Sequence, residues 1–391
     1  MITFLLSRDS TAETAHSNIY KEIDTMSTSR NKVAIITAFD PSVFKGGIET
    51  YTIQLINFLI KKNVTVDIYH AGMINEDIGF HNNFIGKLYL LGREMFKFDL
   101  EYDVIIANSF YGFGYFPPRV RTLNIYHSTH AAFAEKLLDI VPYSVYLEWK
   151  LLCGEFCESA SGFGRLNVAV SESVRDELRD YYNFRDIELI PHGIDTSTFR
   201  KLDKKGARSL FGIPEGSFVG LYVGRWDETK GASVLEKVIA ADPETFWILV
   251  IGTGSDRNIL PANSNTLVLE EMDHEKLTQV YSASDFMLFP SRYEAFGYVI
   301  IEAMACELPV ITTNVGIAKT IYKCEPFQEL LLPDFSEGPE LLAASALDKI
   351  KRLRSNVGRR CRIGAESRTT VEQHYTIELW QEKMAEVLHL T

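Results

Sequence analysis

Two glutamates eight residues apart, Glu294 and Glu302, lie in the stretch PSRYEAFGYVIIEAMACELPVITT, Pro290 to Thr313. An apolar run ends there as a strand at Phe289, a loop carries Glu294, and a helical pattern starts near Phe296 and runs to about Cys306. The first amides of such a helix, those of Phe296, Gly297, Tyr298 and Val299, lack intrahelical partners and stand at the positive end of the helix dipole. They form a site for an anion or a hydroxyl, and Gly297 lets a ligand come close to the backbone. Carboxylate oxygens accept hydrogen bonds from hydroxyls, so this pair suits sugar recognition. The bland reading makes Glu294 a helix cap and Glu302 part of a solvated face; the strand–loop–helix context favours chemistry.

A second stretch, VGRWDETKG, Val223 to Gly231, follows another strand and holds Arg225 and Lys230 in one loop. Two fixed cations there can stabilise the charge that grows on a departing diphosphate, the task a divalent metal performs elsewhere. The Walker pattern of a nucleotide triphosphatase is absent from it. A third, DPSVFKGGIET, Asp40 to Thr50, places Gly46 and Gly47 just before a helix beginning at Ile48; such glycines serve a tight turn or close approach to a phosphate or sugar. A fourth, IYHSTH, Ile125 to His130, sets His127 at a strand end, where its ring would point into a cleft and share a proton with a sugar hydroxyl. His130 is the weaker candidate of the two, and His192 reads as structural. IGTGSDR, Ile251 to Arg257, begins like a dinucleotide fingerprint but has Arg257 where the third glycine belongs, so it reads as a loop near phosphates.

These loops need strands to hold them. In the first half the β-rich runs are VAIITAF (Val33 to Phe39), VTVDIYH (Val64 to His70), KLYLL (Lys87 to Leu91), DVIIANS (Asp103 to Ser109), TLNIYHS (Thr122 to Ser128), LNVAVS (Leu166 to Ser171) and IELIPHG (Ile187 to Gly193). In the second half they are FVGLYVG (Phe218 to Gly224), FWILVIG (Phe246 to Gly252), TLVLEE (Thr266 to Glu271), FMLFP (Phe286 to Pro290), PVITT (Pro309 to Thr313) and ELLLP (Glu329 to Pro333). Strands alternating with helical stretches imply parallel βαβ units, and the continuously apolar runs imply sheets covered on both faces. The expected fold class is α/β, with two doubly wound domains joined near Pro191 to Thr198. Ligands bind at the carboxyl ends of such strands, where all four stretches lie.

The 391 residues are 46% apolar and 24% charged, a globular composition, and the net charge of -12 excludes nucleic acid as the expected partner. Five scattered cysteines fit a reducing compartment better than a disulfide frame. No apolar run approaches the roughly 18 residues of a membrane span. The segment Ala131 to Phe156 is apolar enough to touch a membrane surface, although core helix is its commoner meaning. Residues 1–30 read as an extension expected to be mobile.

In this order the four stretches, with the linker Pro191 to Asp195, resemble glycosyltransferase family 4, whose members are retaining enzymes of the GT-B fold. The resemblance runs from Lys32 to the C-terminus. It implies two Rossmann-like domains facing a central cleft. Residues 31–193, joined by the terminal helix within 373–391, would form the acceptor domain, and residues 194–372 the donor domain. It implies that Arg225 and Lys230 hold the donor diphosphate, Glu294 the donor sugar beside the reacting carbon, and Glu302 the ribose. Amides of Phe296 to Val299 and of Gly47, beside Gly46, would reach sugar and phosphate, His127 would meet the transferred sugar, and Glu270 to Met272 would lie near the base. The implied activity is hexosyl transfer from a UDP-, GDP- or ADP-linked donor to a glycan or lipid-linked acceptor in envelope or capsular polysaccharide synthesis. No cofactor or metal is expected, and the location would be cytoplasmic, with peripheral contact at the inner membrane face left open. Two alternatives stand beside it: a sugar-nucleotide epimerase of similar fold, and a non-catalytic nucleotide-sugar-binding subunit. Ala295, Tyr298, Trp226 and the run Val315 to Lys319 depart from the family pattern, which bears on donor choice.

Overall fold

The apolar run after Lys32 becomes a buried central strand because helices cover both of its faces. The computed structural model describes residues 32–44, 46–75, 83–252 and 265–390. The extension 1–30 and most of the IGTGSDR stretch lie outside them. Two wholly parallel sheets are present. The first has six strands in the order β2-β1-β3-β4-β5-β6, namely β1 Lys32–Thr37, β2 Thr65–His70, β3 Val104–Asn108, β4 Arg121–Tyr126, β5 Leu166–Ala169 and β6 Ile187–Leu189. The second has five in the order β11-β10-β7-β8-β9, namely β7 Phe218–Gly224, β8 Thr245–Ile251, β9 Thr266–Glu270, β10 Phe286–Phe289 and β11 Val310–Thr312. In each sheet the strand order reverses beside the first strand, which opens a crevice at the carboxyl edge.

Two expected strands are not strands. KLYLL lies inside the helix Asn83–Met95, because Ile85, Leu88, Leu91 and Met95 form one buried face at helical spacing. ELLLP becomes a 3-10 turn, Gln328–Leu330, followed by a single bridge from Leu331 to Thr312. Pro333, which has no amide hydrogen, cannot extend that bridge.

The chain crosses between the domains twice, and the crossings are tied together. Ile194 donates to the Tyr375 carbonyl at 2.9 Å, and Ile377 donates to the Ile194 carbonyl at 2.9 Å. The last helix, Ile377–Leu388, then packs on the first domain. Trp380 meets the rings of Tyr51 and Phe58 at 5.6 and 5.7 Å, and Tyr51 Oη lies 3.7 Å from Met384 Sδ. No described helix is long and apolar enough to cross a membrane. The segment from Ala131 to Phe156 divides between buried Ala131, Ala134, Leu137, Cys153 and exposed Leu138, Tyr143, Leu151, Phe156.

Candidate active site

The loop after β7 is shaped by Asp227. Its Oδ1 accepts the amides of Thr229 at 2.9 Å and Lys230 at 3.2 Å, capping the turn Glu228–Lys230. Gly231 follows with φ of 77°, and a Cβ there would stand 2.1 Å from the Pro290 carbonyl oxygen. Only glycine therefore lets this loop close on the loop after β10. The closure brings Lys230 Nζ to 2.5 Å from Glu294 Oε1, which also accepts from Ser291 Oγ at 2.9 Å. Arg225 is half exposed, with Nη2 3.3 Å from Thr229 Oγ1 and Nε 3.5 Å from Asp227. An anion entering here meets one cation already neutralised by a carboxylate and one facing solvent.

Arg225, Thr229, Lys230, Glu294 and Ala295 wall a cavity of about 280 Å³. Its opposite wall comes from the first domain, with Ser128, His130 and Phe133, and Tyr293 closes one side. A larger cavity of about 780 Å³ lies beyond Tyr293 and Glu294, which border both. Direct contacts between the domains cross this region. Tyr293 Oη donates to Glu177 at 2.9 Å and accepts from the Thr129 amide at 3.2 Å; Ser171 Oγ donates to the Ala295 carbonyl at 2.5 Å. Arg292 pairs with Asp139 at 2.8 Å, and Lys319 donates to Ser173 at 2.8 Å. Burial raises the Glu177 carboxyl above the ordinary range, opposed by the hydroxyls of Thr129, Ser173 and Tyr293 that donate to it.

Of the residues singled out in the sequence, the cavity unites Arg225, Lys230 and Glu294. Glu302 is buried in the helix Tyr298–Ala305, not on a solvated face. It accepts from Tyr281 Oη at 2.8 Å, and burial raises its pKa. It does not line the cavity. His127 does not point into the cleft either. It is buried, Nε2 lies 2.9 Å from Asn108 Oδ1, and its ring is stacked 5.6 Å from His192, with Tyr51 edge-on at 4.7 Å. Burial lowers its pKa to about 3, so the ring is neutral at physiological pH. His127 continues a fully buried run, Leu123 to Tyr126, whereas Ser128 and His130 just beyond it reach the cavity.

Gly297 stands at the start of its helix with φ of 91°, and the helix itself begins at Tyr298, two residues later than expected. Phe296 and Tyr298 are packed against His192 at 4.8 and 4.7 Å, and Val299 is partly buried. Gly46 caps the helix Gly47–Lys61 in extended conformation, and a side chain at Gly47 would meet open space. Trp226 is core rather than pocket lining: it is buried edge-on to Tyr222 at 5.6 Å. Sequence reasoning did not single out Ser128, Thr229, Phe133 or Tyr293, and it ranked His130 below His127. Thr229, Tyr293 and Ser128 lie inside the stretches VGRWDETKG, PSRYEAFGYVIIEAMACELPVITT and IYHSTH, which were the signal for them; nothing pointed to Phe133. Among the described residues no group of three or more His, Cys, Asp or Glu is placed to hold a metal ion.

Two Rossmann-like domains with their strand ends turned to a shared cleft define the GT-B class of fold. The chain belongs to glycosyltransferase family 4: the model of Glycosyltransferase Family 4 matches residues 45–198, and that of Glycosyl transferases group 1 matches residues 203–327. A third model, Family 4 Glycosyltransferase in conflict systems, matches residues 270–385. Relatives called D-inositol 3-phosphate glycosyltransferase include those of Segniliparus rotundus, 31% identical over 166 residues, and Rhodococcus jostii, 33% identical over 168. Each match covers 38% of this chain and 37% of the relative, so the chain spans little more than a third of the curated relatives it matches. Among solved structures, sucrose-phosphate synthase of Thermosynechococcus elongatus has a TM-score of 0.74 at 24% identity, covering 92% of this chain and 98% of that one. Anabaena HepE in complex with UDP and glucose has a TM-score of 0.66 at 17% identity, covering 92% and 99%.

Proposed function

We propose that this protein is a retaining hexosyltransferase. It takes a hexose from a UDP-, GDP- or ADP-linked donor and passes it to a hydroxyl of a glycan or lipid-linked acceptor, as in envelope or capsule assembly. The observation that carries this reading is the meeting of Arg225, Lys230 and Glu294 around one cavity between the two domains. Arg225 and Lys230 would receive the charge that the leaving diphosphate gains, doing so without a metal ion. Glu294, already fixed by Lys230 and Ser291, has a second oxygen to accept a sugar hydroxyl. Rate comes from holding donor and acceptor on one face of the sugar while the closed cleft excludes water. Glu302 and the amides of Phe296 to Val299 belong to the proposed donor surface through their place in the family pattern; His127, buried against Asn108, does not.

The test is a donor screen. UDP-, GDP- and ADP-sugars are compared by melting shift, and the best is then offered to glycans, lipid-linked saccharides and phosphorylated polyols. The last group enters because of the name its relatives carry. We expect one nucleotide class to stabilise the protein and the product to keep the donor's anomeric configuration by NMR. An epimerised sugar nucleotide, or binding with no turnover over the whole acceptor panel, would replace this reading with one of its alternatives.

A further inference from the structure

Glu294 stands on the loop after β10 between two residues that the first domain holds. Before it, Tyr293 Oη donates to Glu177 Oε2 at 2.9 Å and accepts the Thr129 amide at 3.2 Å. After it, the Ala295 carbonyl accepts from Ser171 Oγ at 2.5 Å. These anchors are themselves fixed. Glu177 is buried, and its carboxylate also accepts Thr129 Oγ1 at 2.7 Å and Ser173 Oγ at 2.9 Å. Thr129 lies between Ser128 and His130, which wall the small cavity. The Glu294 carboxylate, by contrast, takes its hydrogen bonds from its own domain, at Lys230 and Ser291. The carboxylate is thus registered on the second domain, and the peptide that carries it on the first. Such a joint has little tolerance, since misplacing a reacting group by about 1 Å costs about 10²-fold in rate.

We propose that the Tyr293 hydroxyl is a positioning group for the transfer: by bridging Glu177 and the Thr129 amide, it sets where Glu294 stands against the first domain's wall of the closed cleft. The inference rests on the transferase reading above. It divides two tasks between neighbouring residues. Donor binding draws on Arg225, Lys230 and Glu294, all of the second domain, and does not need the bridge. Turnover needs the donor sugar in register with whatever the first domain brings to it, and does need the bridge. The Tyr293 ring lies edge-on to Phe133 at 5.5 Å where it borders the cavity, a contact that phenylalanine in its place preserves. Glu177 acts through Tyr293 and is a positioning residue too.

The experiment uses the full chain, well below the melting temperature of each variant. Nucleotide release is followed from UDP-glucose, or from whichever of GDP- and ADP-glucose gives the largest melting shift, with water as acceptor. In Tyr293→Phe we expect kcat to fall by about 10-fold or more while the donor KM stays within about threefold of wild type. Glu177→Ala removes the bridge from its other end and should show the same split. If both act through one bond, the double variant loses no more than the worse single variant. Should Glu177→Ala fail to fold, the split in Tyr293→Phe decides alone. A Tyr293→Phe protein that melts earlier but keeps its kcat has lost only a structural contact. One whose KM rises at unchanged kcat has lost a donor contact, and losses that multiply in the double variant mean that the hydroxyl does not act through Glu177. Each of these overturns the inference alone. A wild-type protein that cleaves none of the donors, with water or with any acceptor of the panel, overturns the transferase reading and this inference with it.

Discussion

On the second domain's wall of the cavity, Arg225, Thr229 and Lys230 come from the single stretch Val223 to Gly231, and the Asp227 cap and Gly231 shape it locally. On the first domain's wall, His130 owes its orientation to Glu158, 28 residues away, and to Tyr182, another 24 beyond. A loop that carries its own geometry can be recognised from its residues, since every constraint is a neighbour in sequence. A side chain set by distant partners cannot, because the carboxylate that orients it is one of many in the chain. The cations of the loop Val223 to Gly231 were therefore legible, and the histidine facing them was ranked behind a neighbour that is buried.

If the two walls differ in this way, substitutions should separate them. The largest effect is expected from Lys230→Ala and Arg225→Ala, which should each lower turnover by roughly 10²–10³-fold, as for lost transition-state donors, with little change in melting temperature. Near-wild-type kinetics in both would remove the charged loop from the mechanism. Next comes acid sensitivity from the buried histidines behind the first wall. Burial holds His127 at about 3 and His192 well below its ordinary value of 6.5. Their contribution to stability is present above 6.5 and is lost as pH falls toward 3, because the unfolded rings take up protons that the folded ones refuse. Denaturant melts from pH 8 to 4 should show this slope, and His127→Gln should flatten part of it; an unchanged slope would remove His127 as its source.

A smaller effect tests the link between the walls. Tyr293→Phe deletes the hydroxyl shared by Glu177 and the Thr129 amide and should cost about 1 kcal/mol, read as a lower melting temperature. The smallest effect concerns Glu302. Its folded pKa is raised by burial, so the stability it adds is full below about 4.5 and declines as pH rises through the folded value. Glu302→Gln, which still accepts from Tyr281, should melt at or slightly above wild type at neutral pH, the difference vanishing in acid. Weaker donor binding by the same variant in calorimetry would show that the nucleotide reaches this carboxyl.

The sheets themselves were readable because their central strands are continuous apolar runs bounded by polar turns, as in β7 and β8. KLYLL deceived because five residues cannot distinguish a buried strand from one side of a helix; Ile85 and Met95, on either side, carry the helical spacing. Trp226 and Tyr298 looked like changes to a nucleotide pocket, yet their rings are spent on Tyr222 and His192, contacts that sequence distance conceals. Of the departures from the family pattern, Ala295 reaches the small cavity, and Val315, Gly316 and Lys319 border the larger one.

Trp380 sits near the end of the chain but fills a place against Tyr51 and Phe58, near its beginning. Synthesis runs from one to the other, so the surface of the first domain is not sealed until the chain has been made through Trp380. Until then an aromatic hollow stands open to solvent and to other nascent chains. Loss of Trp380 would therefore injure the first domain, although the whole of the second lies between them in sequence.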